Sequence, residues 1–185
     1  MISFSVTASS AISPESLCEN IFDAGQWSSF KGYGPIPGIA RVSKSSNEES
    51  ELGTVFHVEN LDGSSHDEEV IEYIPGQLIK MHMHNFSAPL DRLASHFTER
   101  WDFQHLDNKT VITRSMELHE KNILGGILLR IISVFLKKAL KRHTEFIASG
   151  SGIYTFKHGI LCPATVLMTR ILVSSSRSEK TVTLT

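Results

Sequence analysis

Residues 122–148 repeat apolar side chains at intervals of three and four, which is the spacing of one face of an α-helix. The apolar residues of this segment are Ile123, Leu124, Ile127, Leu128, Ile131, Ile132, Phe135, Leu136, Leu140, Phe146 and Ile147. A helix of this length measures roughly 40 Å at 1.5 Å per residue. It therefore needs an apolar surface of similar length, and the preceding segments, which alternate as strands do, predict that this surface is a β-sheet.

The segments before this helix predict seven strands and two short helices. Residues 2–8 alternate apolar and polar side chains, which indicates a half-buried strand. Ser13 and Pro14 form a typical helix start, and Gly25 ends that helix before a second short turn around Trp27. A loop rich in Gly and Pro covers 32–38. The remaining predicted strands are 39–44, 54–60, 68–74, 78–84, 94–104 and 109–119.

This order of elements resembles the START-like superfamily, the polyketide cyclase/dehydrase and lipid-transport group. The matching motifs are Pro14-Glu15 at a helix start, Asp23 and Trp27 before the Gly/Pro loop, Gly53-Thr54 at a strand start, and the strand-turn-strand segment 72–78. The resemblance implies an α+β helix-grip fold, in which a curved seven-stranded antiparallel sheet wraps around the long C-terminal helix. It implies a ligand-binding domain over 1–149, and we interpret 150–185 as a loosely packed or disordered tail.

The distribution of charge divides the chain into an acidic and a basic part. Residues 1–120 contain 8 Lys and Arg against 18 Asp and Glu, whereas residues 121–185 contain 10 against 2. A basic helix lying on an acidic sheet explains this asymmetry, and a basic helix face that meets an anionic membrane is the alternative. Aromatic residues are not interleaved with the basic ones, so we expect no nucleic-acid partner.

Several classes of protein are poorly supported by the sequence. Cys18 and Cys162 lie far apart and form no disulfide framework, and no signal peptide opens the chain, so we expect a cytoplasmic protein. No apolar run approaches the ~20 residues of a membrane-spanning helix, so stable membrane insertion is not expected. Motifs of nucleotide-dependent enzymes and metalloproteases are absent, and the sequence predicts no cofactor and no metal site.

The last two predicted strands place a carboxylate and a guanidinium on an apolar face. A loop over 105–108 would set Glu99 opposite Arg114 and Trp101 opposite Ile112, with all four on the inner face. One interpretation is a structural buried ion pair, in which each charge holds the other. The other is functional: Arg114 orients an acidic or carbonyl oxygen, and Glu99 moves a proton.

Two histidines occupy alternate positions of one predicted strand. Their apolar neighbours are expected to face inward, which sends His82 and His84 outward together with His96 of the next strand. If that strand is flipped, His82 and His84 become acid/base candidates inside the cavity. The face of Tyr73 is ambiguous, so this residue is either a hydrogen-bond donor to the cavity or an ordinary half-buried tyrosine.

By the resemblance, the protein binds a hydrophobic small molecule of polyketide, terpenoid or lipid type and belongs to natural-product biosynthesis. The cyclase/dehydrase branch implies cofactor-free cyclisation or dehydration, with Glu99 and Arg114 as the candidate catalytic residues. The candidate substrate-binding residues are Tyr73, Met81, Met83, His84, Phe97, Trp101, Ile112, Met116 and Leu128. The alternatives are a non-catalytic carrier and a protein-interaction module, which would have a filled core and an exposed apolar patch.

Overall fold

The computed structural model describes residues 1–45 and 51–151, so nearly all of the predicted tail over 150–185 lies outside the described residues. The strands are β1 (Ile2–Ser10), β2 (Ile39–Lys44), β3 (Val55–Asn60), β4 (Ser65–Ile74), β5 (Leu78–His84), β6 (Ala94–Leu106) and β7 (Lys109–Glu120). The helices are α1 (Pro14–Phe22) and α2 (Ile123–Ala148), with 3₁₀ segments at Ala24–Ser29 and Leu90–Arg92.

The seven strands form one sheet in the order β1-β7-β6-β5-β4-β3-β2, and every neighbouring pair is antiparallel. After β1, the chain builds the sheet as successive hairpins from β2 to β7, and β7 then pairs with β1. The long helix α2 follows and contacts β1 and β7. This arrangement confirms the predicted α+β helix-grip fold.

The first helix and the 3₁₀ segment after it are joined by local hydrogen bonds. The Ser13 hydroxyl accepts the Ser16 amide at 3.3 Å, which caps α1 as its sequence predicts. The indole Nε1 of Trp27 donates to the Ile21 carbonyl at 2.6 Å. Leu17 and Trp27 are consequently buried in the same apolar cluster as the inward residues of β3 to β7.

Helix α2 begins at an Asn122 cap, whose side chain accepts the Gly125 amide at 2.8 Å. At the other end, the Ser10 hydroxyl donates to the Ala148 carbonyl at 2.7 Å and ties the helix to β1. Between these ends, Leu129 and Leu140 are buried against the sheet.

One part of the helix prediction is wrong, because the apolar residues do not form a single buried stripe. Ile123, Ile127 and Ile131 are exposed, whereas the neighbouring stripe through Leu129 and Leu140 is buried. Two apolar stripes lie side by side in the N-terminal half of α2, and both satisfy the three-and-four spacing. Periodicity therefore predicts the helix but not its rotation on the sheet.

The rotation of α2 on the sheet is fixed by a close contact between Gly125 and the backbone at Leu93. A Cβ atom at Gly125 would lie 2.2 Å from the Leu93 carbonyl oxygen, whereas a Cβ atom at Gly126 would meet only the Glu120 Cγ, at 3.7 Å. The close approach of α2 to the backbone before β6 consequently requires glycine at 125 and not at 126.

We therefore expect Gly125→Ala to lower the free energy of unfolding by about 1–3 kcal/mol, since the helix must move away from Leu93. Gly126→Ala is the matched control and should raise it by about 0.5–1 kcal/mol through higher helix propensity. Urea unfolding followed by circular dichroism measures both. Equal stabilities of the two variants would contradict the proposed contact.

Candidate functional site

A cavity of about 330 Å³ lies between α2 and the sheet. Its wall is mostly apolar and includes Met83, Phe97, Met116, Ile132, Leu136 and Leu140. A smaller compartment of about 50 Å³ continues toward Trp27 and Trp101. Glu68 and Arg114 line both compartments, so these two charged side chains lie at the junction between them.

The structure brings Glu99 and Arg114 together on the inner face of the sheet. Arg114 Nε donates to Glu99 Oε1 at 2.5 Å, and Trp101 Nε1 donates to Glu99 Oε2 at 3.0 Å. The two charged side chains are only 3% and 8% exposed. Both carboxylate oxygens of Glu99 thus accept a hydrogen bond from a neighbour within the core.

The predicted pairing register of this hairpin is wrong by two residues. Glu99 lies opposite Met116, and Trp101 lies opposite Arg114. The turn contains only Asp107 and Asn108, whose φ angles of 47° and 63° are accessible to these residue types. A shift of two residues keeps every side chain on its face, so the ion pair still forms, but along a diagonal.

Arg114 is also bonded to α2 through His143, a residue that the sequence analysis did not identify. Arg114 Nη1 donates to His143 Nδ1 at 2.9 Å, and His143 Nε2 lies 3.0 Å from the Ser29 hydroxyl. A guanidinium has no acceptor, so Nδ1 must accept and the ring proton is on Nε2. Burial, followed by the charge of Arg114, lowers the pKa of His143 to about 3, which keeps the ring neutral.

The environment of Glu99 has opposing effects on its protonation. Burial raises the pKa of the carboxyl, and repulsion by Glu68 adds to this increase. The Arg114 guanidinium and the Trp101 indole N–H oppose it, because both interact favourably with the carboxylate. The Arg114 guanidinium also lies over the Trp101 ring, 4.1 Å from its centroid.

A second titratable pair, His66 and Glu68, lines the large cavity and was missed from the sequence. His66 Nε2 lies 2.9 Å from Glu68 Oε1, and Glu68 is buried. The predicted strand began at residue 68, whereas β4 begins at Ser65 and places His66, Glu68 and Val70 on the inner face. The alternation from His66 to Val70 is the signal that could have identified them.

A bulge in β4 explains why the sequence pattern left the sheet face of Tyr73 ambiguous. The pairing with β5 shifts between Val70 and Glu72, so Ile71 is the extra residue and Tyr73 returns to the face of Val70. The Tyr73 ring packs edge-on against Phe22, with 5.0 Å between centroids. It lines neither of the two compartments.

The other predicted substrate-binding residues fall into two groups. Those that line the large cavity are Met83, Phe97 and Met116, and those that line the small compartment are Met81 and Trp101. Ile112, Leu128 and His84 line neither compartment. Ile112 is fully buried in the core, Leu128 is on the flank of α2 beside the buried Leu129, and His84 is on the outer face of the sheet.

The histidines of β5 face outward, as the apolar alternation of that strand predicts. The His82 ring lies 5.3 Å from the His84 ring and 4.9 Å from the His96 ring, and His96 stacks on His119 at 4.1 Å. Burial lowers the pKa of His82 and His96, and their histidine neighbours contribute. In the part of the chain that the structure describes, no group of three or more potential ligands is arranged to hold a metal ion.

Comparison with known proteins decides the family of this chain. The sequence matches the family described as polyketide cyclase / dehydrase and lipid transport over residues 1–148. The chain belongs to this polyketide cyclase/dehydrase and lipid-transport family. No curated protein sequence matches it.

Solved structures share the fold of this family member at low sequence identity. A START superfamily protein from Mycobacterium smegmatis has a TM-score of 0.58 at 12% identity, covering 79% of this chain and 96% of that chain. Norcoclaurine synthase from Thalictrum flavum has a TM-score of 0.57 at 16% identity, with coverages of 79% and 93%. The di-domain ARO/CYC StfQ of the steffimycin biosynthetic pathway has a TM-score of 0.55 at 16% identity, with coverages of 80% and 50%.

The family and the shared fold support a hydrophobic ligand-binding domain. The apolar wall of the large cavity agrees with this assignment. Within residues 1–45 and 51–151, no helix is both long and apolar enough to cross a membrane.

Arg114→Met should lower the free energy of unfolding by about 3–5 kcal/mol at neutral pH, because it leaves a buried carboxylate unpaired. Loss of the Arg114 guanidinium increases the upward shift in the pKa of Glu99. The Glu99 carboxyl therefore binds its proton more tightly in the folded state than in the unfolded state. The deficit should consequently shrink as the pH falls toward 4.5, the ordinary value for glutamate. Urea unfolding at several pH values measures this, with Glu99→Gln/Arg114→Met as the control without that dependence. A deficit independent of pH would refute the argument.

His143 should make stability depend on acidity. Its pKa is about 3 in the folded state and 6.5 for an ordinary histidine, so its contribution to stability is complete above pH 6.5 and is lost progressively as the pH falls toward 3. Between about pH 7.5 and 5.5, the wild type should lose roughly 1 kcal/mol more stability than His143→Gln. His105→Gln, at an exposed position, serves as the control. Parallel stability curves for wild type and His143→Gln would contradict the assignment.

Proposed function

We propose that this protein binds an apolar small molecule of polyketide, terpenoid or lipid type in the large cavity and catalyses its cofactor-free cyclisation or dehydration. The observation that carries the proposal is the combination, in one cavity of about 330 Å³, of an apolar wall and the His66–Glu68 pair, whose Nε2 and Oε1 atoms lie 2.9 Å apart. Ligand sites are typically concave and mostly apolar, with volumes of roughly 300–1,000 Å³ and few polar groups.

The wall of the cavity favours a ligand with a bulky apolar body. Met83 and Met116 supply flexible, polarisable side chains that adapt to irregular shapes. Phe97 packs against Phe86, with 4.8 Å between ring centroids, and provides a rigid aromatic surface. An apolar chain or ring system would displace water from this surface, while its polar group would lie at the junction with Glu68 and Arg114.

The sequence suggested Glu99 for proton transfer. In this proposal, His66 and Glu68 transfer the proton instead. Both oxygens of Glu99 accept hydrogen bonds from Arg114 and Trp101, so Glu99 holds the guanidinium in place. Arg114 uses two of its five N–H groups in these contacts with Glu99 and His143, so it can still donate to a carbonyl oxygen of the ligand.

The His66–Glu68 pair can act as general base and general acid in one reaction. One group removes a proton from a carbon beside a ligand carbonyl, and Arg114 stabilises the negative charge that develops on the oxygen. In a cyclisation, the carbanion attacks a second carbonyl and the other group returns a proton to the new alkoxide. In a dehydration, that proton goes to the leaving hydroxyl, which departs as water.

The shared fold is compatible with such chemistry. Two proteins of the same fold are named as a norcoclaurine synthase and as an ARO/CYC of a biosynthetic pathway. A non-catalytic carrier is the second candidate. It is favoured because the Glu99–Arg114 ion pair is bonded to other groups of the protein, as a purely structural pair would be. A protein-interaction module is less well supported, because its core should be filled and this core contains the cavity.

Glu68→Gln should reduce turnover by about 100-fold or more while leaving ligand binding within a few-fold, since it removes a proton-transfer group. Glu69→Gln, one residue along β4 and on the outer face, is the matched control and should keep full activity. Native mass spectrometry of protein purified from its own host identifies the bound compound and measures its occupancy, and that compound or its precursor is then the substrate.

Two further outcomes separate the alternatives. Leu136→Trp should fill the cavity and abolish the bound mass, whereas Ile71→Trp on the outer sheet face should retain it. A bound compound that the wild type never converts would indicate the carrier. Equal turnover of wild type and Glu68→Gln would remove the proposed pair from the mechanism.

A further inference from the structure

The side of α2 that faces away from the sheet carries an exposed apolar surface. It comprises Ile123, Leu124, Ile127, Ile131 and Val134, which are 86%, 61%, 52%, 55% and 56% exposed. Since their spacing is that of one helical side, they lie next to each other along about three turns. A contiguous exposed apolar surface of this kind typically marks an interaction site. We call these five residues the outer apolar face.

Basic side chains extend the same side of the helix toward its C-terminus. Lys138 and Lys141 follow Val134 at intervals of four and three, so they lie in line with the outer apolar face. Arg130 and Lys137 flank it, and all four are exposed. Helix α2 contains five Lys and Arg residues and a single acidic residue, Glu145.

The opposite side of the molecule has the opposite character. On the outer face of the sheet, acidic residues outnumber the basic residues Lys80 and Arg100; the acidic residues are Glu69, Glu72, Asp102 and Glu117. Glu69 and Glu117 both face solvent beside the histidines of β5 and β7. An anionic surface would therefore attract the α2 side and repel the sheet side, which sets one orientation.

We propose that the outer apolar face of α2 docks on an anionic lipid surface. The aliphatic side chains would enter the boundary between head groups and acyl chains, while Lys137, Lys138 and Lys141 contact lipid phosphates. An amphipathic helix with an apolar side and basic residues lies in the membrane interface without crossing it. Such docking agrees with the finding that no described helix can span a bilayer.

Charge argues for lipid over a second copy of the same chain. In a symmetric dimer the same surface meets itself, so the contact would contain the basic side chains of both α2 helices, and Glu145 is the one acidic residue that each α2 helix supplies. Repulsion between the basic side chains opposes that contact, whereas anionic lipid head groups neutralise the same charges.

The docked segment is also a wall of the ligand cavity. Ile132 and Leu136 line the cavity from the inner side of the turns whose outer side carries Ile131 and Val134. Docking would therefore bring the cavity within one helix diameter of the lipid, about 10 Å. This proximity would suit a protein that exchanges an apolar ligand with a membrane, although the docking itself does not require the proposed catalysis.

Vesicle cosedimentation of the full chain tests the proposal directly. Vesicles of phosphatidylcholine alone and of phosphatidylcholine with phosphatidylglycerol serve as probes. We expect binding to the anionic vesicles, weakening as salt is raised, and little binding to the neutral ones. Absence of binding to anionic vesicles at low salt would overturn the proposal.

Variants then locate the contact. Ile127→Glu/Ile131→Glu and Lys137→Glu/Lys141→Glu should each lower the partition coefficient by about tenfold or more. Ile71→Glu, at an exposed apolar position of the sheet, is the control and should bind as wild type does. If both double variants bind like wild type, the proposed surface is wrong.

Two other measurements separate this proposal from its alternatives. Sedimentation equilibrium that shows a dimer, abolished by Ile127→Glu/Ile131→Glu, would assign the outer apolar face to a second copy and overturn lipid docking. Native mass spectrometry should find the cavity ligand retained in both double variants. Loss of vesicle binding with ligand retained would confirm docking independently of the proposed function.

Discussion

The buried guanidinium of Arg114 connects the elements on which this structure depends. It extends from β7, bonds to Glu99 of β6, lies over Trp101, and donates to His143 of α2. His143 in turn donates to Ser29 in the 3₁₀ segment. A charge placed in an apolar core is costly unless its hydrogen bonds are satisfied, and here three other parts of the chain, β6, α2 and the 3₁₀ segment, contribute to satisfying the charge on β7. The interface between the sheet and α2 is thus polar at its centre and apolar on both sides.

This network also explains the arrangement of the cavity. The bonded charges occupy the junction between the two compartments, and the large cavity extends from there along apolar side chains. Because Glu99 is already bonded to its neighbours, the polar groups that remain for a ligand near this junction include Glu68, its partner His66, and the N–H groups of Arg114 that are not bonded to Glu99 or His143. The His66–Glu68 pair lines the large cavity, with 2.9 Å between Nε2 and Oε1, and for this reason the proposed chemistry is placed on it.

Helix α2 serves two surfaces at once. Its inner side contributes Leu129 and Leu140 to the core and Ile132 and Leu136 to the cavity. Its outer side is equally apolar in the N-terminal half and becomes basic toward the C-terminus. A helix that only covered a sheet would have a polar outer side, so the second apolar stripe calls for an additional role.

Local pattern was sufficient to predict the elements and their order, because periods of two and of three to four arise from backbone geometry alone. The resemblance of that order to a known superfamily then predicted the helix-grip fold. Local pattern was also sufficient to place Glu99 and Arg114 on the inner face, since the register error of two residues preserved the face of every side chain. The positive φ angles of Asp107 and Asn108 that tightened the turn could have been anticipated from their residue types.

The remaining features depended on long-range packing. The rotation of α2 follows from the contact of Gly125 with Leu93, and the meeting of Arg114, His143 and Ser29 joins residues far apart in sequence. The start of β4 at Ser65, which turns His66 into the cavity, follows from pairing with β3. Sequence periodicity predicts which residues share a face, whereas the packing of one face against another determines which of them meet.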